Sequence, residues 1–72
     1  MKGSQSDIDY GTRQKRRNAV NSIRSCLLAI RDAEQKYLEN VPDNFQNSES
    51  FNIGEYAVET LDEVIGLLVE VY

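Results

Sequence analysis

NVPDNFQNSESFN, residues 40–52, interrupts two long runs of helical periodicity, and its reading decides the fold. Pro42 cannot continue a helix and fixes its own φ, while Asp43 and Asn44 bond to nearby backbone and favour turns. Asn40 followed by Pro42 is a helix stop. Phe45 and Phe51 are apolar among polar neighbours, which suits side chains that close the open end of a core.

Upstream of this break, Val20, Ile23, Leu27 and Ile30 step by three, four and three, and Tyr37 and Val41 return to the same face. No Gly or Pro lies between Thr12 and Val41. The spacing predicts a helix over residues 12–40, with Thr12 or Asp9 as N-cap. Glu34 falls on the apolar row and marks either its opening to water or a polar registry position. Residues 1–11 are polar and aperiodic and read as a flexible tail.

Downstream, the second helix is expected over residues 52–72, leaving 41–51 as the connection. Asn52-x-x-Glu55 fits a capping box with Phe51 and Tyr56 as its hydrophobic staple, although Ser48 or Ser50 would also serve. Ala57, Leu61, Val64, Leu68 and Val71 form one apolar row, and Val58, Ile65 and Tyr72 form a second beside it. Two rows are wider than one partner helix can cover. These eight residues are therefore the expected self-association surface. Gly66 lies mid-helix, where it either permits close approach or is merely tolerated at about 1 kcal/mol relative to Ala.

Charge divides at the same place. All eight basic residues lie within residues 1–36, and residues 37–72 hold eight acids and no base. In an antiparallel hairpin turning near Gln46, Arg31 falls opposite Glu59 or Glu63. Arg24 falls opposite Glu63 or Glu70, and Arg17 near Glu70. Such exposed pairs add little stability, but they fix register and orientation. The expected architecture is all-α: an antiparallel two-helix hairpin assembling into a four-helix dimer or a higher oligomer.

Size points the same way. A chain of 72 residues is one domain at most, and cores of this size rarely supply more than about 3–5 kcal/mol unaided. The lone Cys26 cannot form an intramolecular disulfide, and there is no His. No metal or cofactor site is expected, and assembly is the remaining support. Met1-Lys2-Gly3-Ser4-Gln5-Ser6 has no apolar stretch behind it, so it does not read as a signal peptide. No run approaches the roughly 18–20 apolar residues of a membrane span. A cytoplasmic protein is expected.

Chemistry is sparse. There is no His, no Trp and no Gly-rich phosphate loop. Cys26 sits between Ile23 and Ile30 with no base near it, which suits packing better than nucleophilic attack. No enzymatic constellation is present. The first helix is longer than the second by roughly nine residues, an overhang of about 13 Å. It carries Arg13, Lys15, Arg16 and Arg17, the candidate site for an anion, nucleic acid or a phosphorylated ligand such as a signalling nucleotide.

The stretch Ala33–Glu49 and the later Glu59-Thr60-Leu61-Asp62-Glu63-Val64-Ile65 resemble small helical-hairpin proteins of bacterial, phage and prophage genomes. These share an E-N-(I/V)-P-(E/D)-x-(L/F)-Q-x-S-E connection before an acidic, apolar second helix. The resemblance covers about the C-terminal half of the chain. It implies a hairpin fold and a bacterial or phage origin, and it carries no activity. In a phage setting it implies an accessory protein that binds, for example one that blocks a host defence component. The leading expectation is a non-enzymatic interaction protein that self-associates and engages a protein partner. Ligand or nucleic-acid binding at Arg13–Arg17 is the alternative.

Overall fold

The computed structural model describes residues 9–72, and these form two helices joined by a short connection. Most of the expected flexible tail thus lies outside the described residues. Helix α1 runs Arg13–Glu39 and helix α2 runs Glu49–Val69. They pack antiparallel as a hairpin, with no strand among the described residues.

Local chemistry accounts for each end. Thr12 takes an extended conformation and its hydroxyl accepts from the Lys15 amide at 3.1 Å, occupying one orphan donor of the first turn. At the far end the Asn40 amide donates to the Tyr37 carbonyl at 3.1 Å. Pro42 then ends the helical path, and Asp43–Phe45 make a single 3₁₀ turn. The Gln46 side chain donates to the Val41 carbonyl at 3.3 Å, tying the connection to the end of α1.

Helix α2 begins three residues before the expected start. Ser48, not Asn52, is the N-cap, and its hydroxyl accepts from the Phe51 amide at 3.1 Å. Asn52 lies inside the helix, so the capping box at Asn52–Glu55 does not form. The earlier start carries Phe51 onto the helix, where it is half-buried against α1.

The seam between the helices differs from the most apolar rows of the sequence. On α1 the less exposed positions are Val20, Arg24, Leu27, Arg31, Glu34 and Leu38, continuing to Val41. On α2 they are Phe51, Gly54, Val58, Leu61, Ile65 and Leu68. Both follow alternating steps of three and four, the spacing of a helix–helix contact. Ile23, Ile30 and Tyr37, expected on the seam, are each at least half exposed.

Two features fix this rotation. The first is Gly54, which is buried where α2 crosses α1. A Cβ there would stand 2.5 Å from Glu34 Oε2 and 2.8 Å from Leu38 Cδ2, so any larger residue would have to displace both side chains. Gly66 is not the close approach, because a Cβ there would meet nothing within 4 Å. The second feature is the Arg31 guanidinium, which donates to both Asp62 oxygens, from Nε at 2.8 Å and Nη2 at 3.3 Å. Asp62 thus takes the place expected of Glu59 or Glu63.

Arg24 and Arg17 make no ion pair with Glu63 or Glu70 among the described residues. Arg24 Nε is buried with no hydrogen-bond partner. An unpaired buried donor costs stability that an apolar side chain of similar length recovers. Arg24→Leu is expected to raise the unfolding midpoint, by about 1 kcal/mol in stability. A chemical denaturation series checks it, and a lowered midpoint would show that Arg24 is satisfied in solution.

Among the described residues only Leu38, 7% exposed, and Val58, 8% exposed, are buried hydrophobic residues, and they meet just beside Gly54. The core is therefore a small knot near the connection, and the rest of the seam is half open.

Candidate functional site

Each helix carries a second row beside its seam. On α1 it is Ala19, Ile23, Cys26, Ile30, Ala33 and Tyr37, with steps of four, three, four, three and four. On α2 it is Ile53, Ala57, Thr60, Val64 and Leu67, continued with the same steps by Val71 just past the helix end. At about 100° per residue, each row sits about 100° to the N-terminal-index side of its own seam. Because the helices are antiparallel, those equal offsets open onto the same side of the hairpin.

The result is one apolar face spanning both helices. Ile23, Ile30, Tyr37, Ile53, Leu67 and Val71 are between 50% and 61% exposed. Cys26 is also exposed, in the middle of the α1 row. Near the connection the face runs into a shallow depression lined by Tyr37, Pro42 and Phe45. Large apolar side chains on soluble proteins are ordinarily scattered, and a contiguous set of this kind marks a contact surface.

The opposite side of the hairpin is mainly polar, with Leu28 and Val69 its exposed apolar residues. It holds the Arg31–Asp62 pair and a groove edged by Gln35, Glu39, Glu55 and Glu59. Gln35 donates to Glu39 at 3.1 Å along this edge. The hydrogen bond to Asp62 foremost raises the affinity of Arg31 for its proton. The two sides thus differ in kind: one is charged and internally bonded, the other apolar and open.

The eight residues expected to self-associate divide between these settings. Ala57, Val64 and Val71 belong to the open row. Val58, Leu61, Ile65 and Leu68 face α1 of their own chain, with Val58 the most buried of them. Tyr72 ends the seam, exposed, under the Arg17 guanidinium at 5.8 Å from the ring centroid. Ile53, Leu67 and the α1 row, which are not among those eight, also lie on the open face. The signal available was the doubled row on each helix, because the row that holds Arg24, Arg31 and Glu34 is the one an internal ion pair can satisfy.

The basic segment is arranged differently from the expected overhang. With α1 at 27 residues and α2 at 21, the helices differ by about 9 Å in length. Tyr72 reaches Arg17, so only about the first turn of α1 projects. Lys15 pairs with Asp9, and the Arg16 guanidinium donates to the Tyr10 carbonyl at 2.8 Å. The Lys15 ammonium, and after it the Gly11 amide, hold the Asp9 carboxyl below the usual carboxylate range. Arg17 also donates to Gln14 at 3.4 Å. These cations fasten residues 9–11 and Tyr72 to the first turns of α1, and the structure does not gather them with Arg13 into one cradle.

Among the described residues no group of three His, Cys, Asp or Glu side chains is placed to hold a metal ion. None of the described helices is long and apolar enough to cross a membrane. No protein family, curated protein or solved structure matches the chain.

Proposed function

We propose that this protein is a non-enzymatic interaction module whose working surface is the open apolar face, through which it assembles with itself and then presents its outer surface to a protein partner. The observation that carries this reading is the mismatch between inside and outside. Among the described residues two hydrophobic side chains are buried, while six large ones stand at least half exposed in register on one face. A hairpin of this size gains too little from such a core to hold two long helices by itself. Covering the face supplies what is missing.

Ile30→Glu/Leu67→Glu tests the reading, because both residues lie in the open rows and neither touches the seam. Light scattering of the unaltered chain over a range of concentrations is expected to give a mass above the monomer, with an unfolding midpoint that rises with concentration. The double variant is expected to be monomeric and to lose most of its helicity. A double variant with unchanged mass and helicity would overturn the proposal, since two buried carboxylates cannot be accommodated in a working contact.

A further inference from the structure

Resting on that reading, we infer that the open face is covered by a second copy of the chain whose two-fold axis runs parallel to the helices, so that α1 of each copy lies against α2 of the other and both connections sit at one end of a four-helix bundle. A face-to-face pair of hairpins has two simple symmetric solutions. An axis along the bundle sets α1 beside the partner's α2. An axis across the bundle sets α1 beside α1 and α2 beside α2, with the connections at opposite ends. Both make every neighbouring pair antiparallel, so direction alone does not choose between them.

Charge chooses. Helix α1 carries Arg13, Lys15, Arg16, Arg17, Arg24, Arg31 and Lys36 against Asp32, Glu34 and Glu39. Helix α2 carries Glu49, Glu55, Glu59, Asp62 and Glu63 and no base. The residues that rim the open rows make this local. The outer edge of the α2 row is Glu49, Tyr56, Glu63 and Glu70, spaced by seven. The outer edge of the α1 row, at the same offset, is Lys15, Ser22, Ala29 and Lys36.

An axis across the bundle would place the glutamate edge against its own copy and the two lysines against theirs. Like charges flanking a helix contact select against that pairing. An axis along the bundle takes each glutamate edge away from its own copy and sets it beside the Ser22–Ala29–Lys36 edge. In the register that brings Arg31 to Asp62, Lys36 then comes level with Tyr56 and Ala29 with Glu63. The small Ser22 and Ala29 leave room for the acidic edge to approach. Tyr56, 71% exposed in the single hairpin, gains a cation beside its ring.

The two arrangements differ in one directly measurable distance. In a Cys26→Ala/Asn44→Cys chain carrying a nitroxide on the connection, pulsed dipolar spectroscopy reads the separation between copies. Connections at one end of a bundle with helices 8–10 Å apart give a label separation below about 25 Å. Connections at opposite ends give about 40 Å or more, the length of α1. A separation below about 25 Å is the expected result, and the same value from a label at Asn47→Cys makes it independent of one variant's folding.

A long separation in a dimer would overturn the parallel axis and leave the interaction module standing. A folded chain with no dipolar signal between copies would overturn the second copy as occupant, with the role of the face still judged by Ile30→Glu/Leu67→Glu.

Discussion

Leu38→Ala is expected to leave the chain largely unfolded at room temperature. Leu38 is one of two buried hydrophobic side chains among the described residues and packs against Gly54 beside Val58. Truncating a buried leucine costs about 2–5 kcal/mol, because the cavity does not fully collapse. That is comparable with the roughly 3–5 kcal/mol a core of this size provides. The remaining seam positions among the described residues are only half-buried, so they offer little to replace it. Circular dichroism with a thermal melt measures the outcome. A midpoint within a few degrees of the unaltered chain would place the stabilising contacts on the open face instead.

Gly54→Val is expected to be the second most damaging change, from the opposite cause. Here matter is added where the helices touch. The first carbon of any side chain would already lie 2.8 Å from Leu38 Cδ2, and valine adds two more in a helix that fixes its χ1. Overpacking of this kind costs about 1–3 kcal/mol, and here it also pushes Arg31 away from Asp62. Gly66→Ala is the internal control. With open space around that position, the gain in helix propensity stands alone, and stability should rise by about 1 kcal/mol. Equal effects from the two substitutions in a urea titration would mean that Gly54 is not a point of close approach.

The two positions show what the sequence makes legible and what it conceals. Two helices and a sharp reversal follow from periodicity, from Pro42 and from capping residues, all of which act within a few positions of the chain. The seam does not follow in the same way. Each helix bears two rows with the same alternating steps, about 100° apart, and the hydrophobic content favours Ile23–Ile30–Tyr37 as the inner one.

What turns the helices is a missing side chain at Gly54 and a bidentate contact between Arg31 and Asp62. Those residues are unremarkable in sequence and become decisive only when both helices are present. The start of α2 was concealed for a related reason. Ser48 and Asn52 are both good caps, and the choice rests on Phe51, which reaches α1 only if the helix begins at Glu49. The basic segment reads correctly as charge. Its contacts with Asp9 and Tyr10 span six residues, whereas its contact with Tyr72 depends on α2 returning alongside α1, which no local pattern encodes.

The small knot around Leu38 and Val58 also bears on how long a molecule of this protein endures. A chain held by so few buried atoms opens often, and an open chain is what proteases cut. Whatever lies over the apolar face therefore governs turnover as well as recognition. With a second copy as the cover, half-life becomes a function of abundance: sparse molecules are cleared and crowded ones persist. Such a protein would accumulate past a threshold of synthesis instead of in proportion to it, with no separate regulator.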